Sequence, residues 1–215
     1  MSSVDIFAYS ATAIAAYLLG SIPTGFLVAR AKGIDIRNFG SGNIGATNVF
    51  RAVGKPAGIL VLFIDGLKGY TACQWVPDFL LTYLAANGPD EEILKIVGGL
   101  FAVFGHNYTC WLKFKGGKGI ATSAGVLAAL VPVALMIILG IWIVVFAVTR
   151  YVSLASIAAS FFLPFATWIT GGSGTLILVT SAMSILAIGK HRANIERLLS
   201  GTESRLGAKK KEATS

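Results

Sequence analysis

The stretch Gly40-Ser41-Gly42-Asn43-Ile44-Gly45-Ala46-Thr47-Asn48-Val49-Phe50-Arg51 holds three glycines, four small polar side chains and a closing arginine. Glycine lets a backbone take positive φ and approach a ligand closely. Successive N–H groups in such a turn make a concave anion seat. Arg51 adds a forked donor of permanent charge. The chemistry predicted is phosphate binding, with Ser41, Gly42, Asn43, Thr47, Asn48 and Arg51 as candidate residues. The plain alternative is a loop that only joins two helices. Gly40, Gly42 and Gly45 also fit the dinucleotide pattern G-x-G-x-x-G, but a long apolar run precedes them where that motif needs a strand. Dinucleotide binding is therefore rejected.

A second stretch, Lys113-Phe114-Lys115-Gly116-Gly117-Lys118-Gly119, carries three cations, three glycines and no acid. Lysine is a point charge that suits phosphate, so Gly116, Gly117 and Lys118 form a second candidate phosphate loop. It is not a Walker loop, because the spacing fails and no Ser or Thr follows the lysine. A loop that only fixes membrane orientation needs charge but not packed glycines.

A third segment, His191-Arg192-Ala193-Asn194-Ile195-Glu196-Arg197, places His191 and Asn194 on one face of a continuing helix. Besides His106, His191 is the one near-neutral base at the expected cytoplasmic surface. His106 is expected to be a hydrogen-bonded structural residue. Asp65 and Lys68 lie three apart, roughly 14 Å into an apolar helix. Charges are expensive there, so the two are expected to face the interior and pair, either as a structural ion pair or to orient groups in the site.

The elements that position these groups are membrane helices. The 215 residues are 55% hydrophobic and only 13% charged, with mean hydropathy +0.74. A soluble domain carries roughly 25% charge. The apolar runs are long and do not alternate, so helices are predicted and a β-barrel is not. The fold class is an all-α integral membrane protein, a compact bundle of about seven transmembrane helices, some short or broken. Net charge is +8. Arg30, Lys32, Arg37, Arg51 and Lys55 fall in one break, and Lys113, Lys115 and Lys118 in another. Lys190, Arg192, Arg197, Arg205 and Lys209-Lys210-Lys211 fall in the tail, while Asp90-Glu91-Glu92 lies in a different loop. Positive charge stays inside, so the basic segments are cytoplasmic and the acidic loop Asn87–Glu92 is external. The tail is expected to lie near anionic headgroups, and no nucleic-acid partner is expected. Cys73 and Cys110 read as buried hydrophobes without a disulfide, and no Cys/His cluster points to a metal or cofactor. The N-terminus reads as a retained span and not as a signal peptide.

Predicted spans run over Ile6–Val28, Pro56–Val76, Ile93–Trp111, Val152–Ile169 and Thr175–Gly189, with Pro23 either an ordinary kink or a break that opens the helix end towards the first loop. Phe79–Ala86 is apolar but too short to cross. Ile120–Val148 is too long for one span, and topology requires an even number of crossings between Lys118 and His191. A split near Pro132 resolves this and yields seven helices; a re-entrant segment near Pro164 is the other solution. The organisation expected is one transmembrane domain over residues 1–189 with cytoplasmic loops 30–55 and 112–119, then a cytoplasmic segment over 190–215.

Together Gly40–Arg51, Lys113–Gly119 with Ile120-Ala121-Thr122, and His191–Gly207 resemble the three motifs of the bacterial PlsY family, the acyl-phosphate-dependent glycerol-3-phosphate acyltransferases. Gly20-Ser21-Ile22-Pro23-Thr24-Gly25 and Arg150-Tyr151-Val152-Ser153-Leu154-Ala155-Ser156 are similar to further signatures of that family. The resemblance covers nearly the whole chain. It implies a multi-pass enzyme of the bacterial inner membrane, with its N-terminus outside and its motif loops and C-terminus cytoplasmic. It implies acyl transfer from acyl phosphate to the 1-position of glycerol 3-phosphate, giving lysophosphatidic acid and inorganic phosphate. By the same resemblance Ser41 and its glycine-rich neighbours hold the donor phosphate, and Arg51, Lys118, Ser156, His191 and Asn194 bind glycerol 3-phosphate.

The residues suit such a reaction. Acyl phosphate already has a good leaving group, so positioning and charge stabilisation suffice. There is no GxSxG elbow and no cysteine beside a histidine and an acid, which fits direct transfer. The hydroxyl proton goes either to His191 or to the donor's own phosphate. Two other classes compete: a transporter of a phosphorylated metabolite and a non-catalytic binder of anionic lipid. Broken helices and cationic loops fit transport, but the basic groups cluster on one face and no inverted repeat is evident.

Overall fold

A computed structural model describes residues 2–83 and 90–207. Part of the acidic loop at Asn87–Glu92, the end of the apolar stretch Phe79–Ala86 and the Lys209-Lys210-Lys211 tail lie outside the described residues. The described residues are helical, with no strand among them. By their contacts they fall into two compact units, Met1–Pro132 and Val133–Ser215.

The first unit contains α1 (Ser3–Ser21), α2 (Thr24–Arg30), α3 (Ala46–Ala52), α4 (Lys55–Cys73), α5 (Trp75–Tyr83), α6 (Glu91–Asn107) and α7 (Ile120–Leu130). The stretch Ser3–Arg30 is long and apolar enough to cross a membrane. It forms two helices separated at Ile22-Pro23, so of the two readings of Pro23 the break holds and the kink does not. The backbone groups freed there are met from elsewhere. Lys68 Nζ donates to the Ile22 carbonyl at 2.8 Å and Thr109 Oγ1 donates to the Ser21 carbonyl. Glycines bring the helices of this unit into backbone contact. A Cβ on Gly20 would collide with the Ala102 backbone, and one on Gly125 with the Gly66 carbonyl. Small residues at crossings are how membrane helices approach closely where lipid removes the hydrophobic incentive.

The chain leaves α7 at Val131 and starts α8 (Pro132–Thr149) on a proline at its first position. The long run Ile120–Val148 is thus two helices, split where expected. The second unit continues with α9 (Val152–Ile169), α10 (Gly174–Lys190) and α11 (Arg192–Leu199). α8 and α9 are each long and apolar enough to span a membrane, and α10 with α11 passes only as a pair bent by 56°. Pro164 sits inside an unbroken α9, so no re-entrant segment forms there. α8 exposes Met136 at 66% and Val148 at 79%. In a membrane protein such apolar surface faces lipid, where water would penalise it. Arg192 follows His191 in a turn, so the expected continuing helix is a bent one.

Candidate active site

The first loop is knitted by one side chain. Asn48, 2% exposed, donates from Nδ2 toward the carbonyls of Ile36, Phe39 and Asn43, and accepts the Ser41 N–H on Oδ1 at 3.3 Å. Gly40 and Gly42 take φ of +56° and +67°, which closes the turn over that amide. The Gly42 N–H donates to the Phe39 carbonyl and the Gly45 N–H to Asn43 Oδ1. Three of the N–H groups expected to cradle an anion, those of Ser41, Gly42 and Gly45, are therefore engaged inside the loop. Ser41 and Gly42 remain exposed, Asn43 and Thr47 half-buried, and Arg51 lies half-buried in the last turn of α3. Ile36, Ile44 and Val49 anchor the loop in a core with Ala29 and Val61, against which Leu112 of the second loop also packs. Upstream, the Arg37 guanidinium and main-chain N–H donate to Asp35 and hold its carboxyl down at about 2.

The second loop is held from beneath. The Gly117 N–H donates to the His106 carbonyl at 3.0 Å and the Gly116 N–H to the Asn107 carbonyl at 3.2 Å. A Cβ on Gly116 would strike the His106 carbonyl, one on Gly117 the His106 Nε2, and one on Gly119 the Asn107 Oδ1 at 2.8 Å. Lys118 is clamped between glycines that rest on the last two residues of α6. Lys113 and Phe114 take left-handed φ of 53° and 61°, held by Phe114 N–H to the Thr109 carbonyl and Lys115 N–H to the Leu112 carbonyl. Asp65 and Lys68 pair at 2.8 Å with side chains 2% and 4% exposed. His106, 5% exposed, brings Nδ1 to 3.7 Å from Asp65 Oδ1. The expected pair is thus a buried cluster of three.

One candidate of the second unit, Asn194, is held by a carboxylate that the motif reading did not single out. Glu203 Oε1 accepts from Ser153 Oγ and Asn194 Nδ2, each at 2.7 Å, and Oε2 accepts from Arg197 Nε at 2.7 Å. Burial pushes its pKa up, but those hydrogen bonds and the Arg197 charge outweigh burial and hold it below the usual value. The available signal was a lone acid in an otherwise basic stretch between Arg197 and Arg205. His191, 3% exposed, makes a 2.8 Å bond between Nδ1 and the Ala187 carbonyl. A carbonyl only accepts, so Nδ1 carries the proton and Nε2 holds the lone pair in the neutral ring. Ser156 is buried at the first turns of α9; its Oγ donates to the Val152 carbonyl at 2.9 Å and accepts from Trp142 Nε1 at 3.2 Å. Cys73 and Cys110 are free thiols.

Residues 10–201 match the family described as glycerol-3-phosphate acyltransferase. A glycerol-3-phosphate acyltransferase of Desulforudis audaxviator is 48% identical over 195 residues, which cover 90% of this chain and 93% of that protein. The chain is also similar to two crystal structures of PlsY, an integral membrane glycerol 3-phosphate acyltransferase. The glycerol 3-phosphate form aligns with TM-score 0.83 and 40% identity, over 93% of this chain and 96% of that one. The lysophosphatidic acid form aligns with TM-score 0.79 and 38% identity, over 94% and 95%. The paired glycine-and-cation loops, the membrane helices and these full-length matches agree: the chain belongs to the glycerol-3-phosphate acyltransferase family.

Proposed function

We propose that this membrane acyltransferase takes its acyl group from acyl phosphate and places it on the 1-position of glycerol 3-phosphate. The observation that carries the reading is the pair of glycine-built loops, each with its own cation, Arg51 and Lys118. A reaction between two phosphate-bearing substrates needs two such seats. Ser41, Gly42, Asn43 and Thr47 face the donor phosphate, with Asn48 as the scaffold of that loop. Arg51, Lys118, Ser156, His191 and Asn194 take glycerol 3-phosphate, and Gly116 and Gly117 give the second loop its close fit. The PlsY forms with glycerol 3-phosphate and lysophosphatidic acid support the acceptor and product.

In the reaction the glycerol hydroxyl oxygen attacks the anhydride carbonyl. The bond from that carbon to the phosphate oxygen breaks, and phosphate leaves with the electron pair. The departing phosphate takes the hydroxyl proton, so no acyl-enzyme forms. His191 then orients glycerol 3-phosphate through Nε2, which accepts from the glycerol hydroxyl that does not react, in the tautomer that the Ala187 carbonyl enforces. The acyl chain stays in lipid. An apolar groove of about 460 Å³ along α4, lined by Leu62, Phe63, Leu67 and Tyr70, is a lateral surface of the kind it needs. The site faces the cytoplasm of a bacterial inner membrane, with the N-terminus outside, since the basic loops stay inside.

The test is phosphate release by the purified protein in detergent or lipidic mesophase, with palmitoyl phosphate, with and without glycerol 3-phosphate. Release that needs both substrates, matched by lysophosphatidic acid, is expected. Release without the acceptor, or none from folded protein, refutes the donor assignment. With His191→Ala, measurable turnover at saturating substrate is expected; its complete loss in folded protein assigns the base to His191 instead.

A further inference from the structure

The proposed reaction leaves unused the most costly feature of the first unit: three titratable side chains, Asp65, Lys68 and His106, all nearly inaccessible to solvent inside apolar helices. Buried charge must be compensated, and retaining it needs a reason beyond stability. Where the three side chains point supplies one. Lys68 reaches from Asp65 to the Ile22 carbonyl, which lies where α1 breaks into α2 and also accepts the Thr24 N–H. Asp65 faces Nδ1 of the His106 ring. The other edge of that ring, Nε2, lies directly under Gly117, where not even a Cβ fits. The His106 and Asn107 carbonyls then take the N–H groups of Gly117 and Gly116. A line of contacts thus runs from the helix break, through the buried charges, to the backbone just before Lys118.

We infer that Asp65, Lys68 and His106 are positioning residues for Lys118: together they set the height and tilt of the His106 ring, and that ring sets where the Lys118 ammonium meets substrate phosphate. The three do not touch substrate. The inference rests on the reading of Lys118 as a phosphate-binding residue. A catalytic constellation needs its supporting contacts fixed to a fraction of an ångström, because a small displacement of a charged donor costs rate or affinity with little cost in stability.

The experiment compares three changes in purified protein: Lys118→Ala, His106→Phe, and Asp65→Asn with Lys68→Met together. His106→Phe keeps a ring beneath Gly117 but removes the nitrogen that faces Asp65. The paired change removes both charges at once, so neither is left buried alone, and it decides the matter if His106→Phe does not fold. The expected result for both is a KM for glycerol 3-phosphate raised about tenfold, with the KM for palmitoyl phosphate within about threefold of wild type and the melting temperature largely kept. Combined with Lys118→Ala, His106→Phe is expected to add less than about threefold, because the two act on one contact. Losses that multiply in the double variant overturn the inference, as does an equal fall in every kinetic constant with the melting temperature. If Lys118→Ala alone changes nothing, the phosphate reading of that loop fails first and takes the inference with it. If Lys118→Ala raises KM and the two cluster variants do not, only the inference fails.

Discussion

The two glycine-rich loops of the first unit differ in composition and in construction. In the loop from Gly40 to Gly45, glycine is used for its dihedral freedom: Gly40 and Gly42 take positive φ. In the loop from Lys113 to Gly119, the left-handed residues are Lys113, Phe114 and Gly119, and Gly116 and Gly117 are there for space. The first loop carries its own scaffold, the Asn48 amide, within eight residues of the turn it holds. The second rests on α6, whose His106 stands beside charges on α4. A self-scaffolded loop is expected to fail locally. A loop resting on the membrane core is expected to fail with it.

The largest effect expected is on that core. Asp65→Asn leaves the Lys68 ammonium buried without its counter-charge and is expected to cost about 3–5 kcal/mol of stability. Adding Lys68→Met is expected to return most of it, since replacing a whole buried pair by apolar groups is near neutral. Thermal melts in detergent check both. The contrast between loops predicts where Asp65→Asn loosens first: amide exchange at residues 113–118 rises before that at residues 40–45.

Next in size is Gly116→Ala. Its Cβ meets main chain at the His106 carbonyl and the Asn107 carbonyl carbon, neither of which can swing aside. The loop must lift, and a shift near 1 Å at a substrate-binding cation costs about 100-fold in rate. Steady-state kcat/KM for glycerol 3-phosphate measures it. Asn48→Ala follows, removing the groups that serve three carbonyls and one N–H at the protein surface. Water replaces part of the loss, so about 2 kcal/mol is expected, confined to protease sensitivity and amide exchange in residues 36–48. If Asn48→Ala instead loosened residues 113–118 equally, the two loops would be one unit and the comparison would fail.

The same contrast explains what was legible in the sequence. The all-helical class and the split at Pro132 follow from hydropathy and proline rules that act within a few residues. The three motif segments were visible because their chemistry is concentrated in short stretches. Outcomes at Pro23 and Pro164 were not visible, because remote partners decide them. Pro164 removes the N–H that would serve the Ser160 carbonyl, but Ser184 Oγ on α10 donates to that carbonyl and α9 runs on. At Pro23 the carbonyls are met by Lys68 and Thr109 from α4 and the segment after α6, and the helix breaks. The roles of His106 and Glu203 were hidden likewise. Nothing near His106 in sequence announces Asp65, and nothing near Glu203 announces Ser153, fifty residues away.

The smallest effect tests the use of glycine itself. Gly42→Ala puts a Cβ on a backbone at φ +67°, 3.1 Å from the Arg37 carbonyl, and is expected to cost about 1–2 kcal/mol. Lys113→Gly does the reverse at φ 53°. It removes a left-handed penalty of about 1–2 kcal/mol but adds about 0.5–1 kcal/mol of unfolded-chain entropy. A net gain of a few tenths of a kcal/mol is expected, read as a slightly raised melting temperature with KM for glycerol 3-phosphate unchanged. Opposite signs at the two positions follow if the bends are fixed by different means: the first by the freedom of glycine, the second by the Thr109 and Leu112 carbonyls that hold Lys113 and Phe114 whatever their side chains. A loss at Lys113→Gly as large as that at Gly42→Ala would mean that the Lys113 side chain itself holds the second loop, and the distinction between the two loops would have to be redrawn around it.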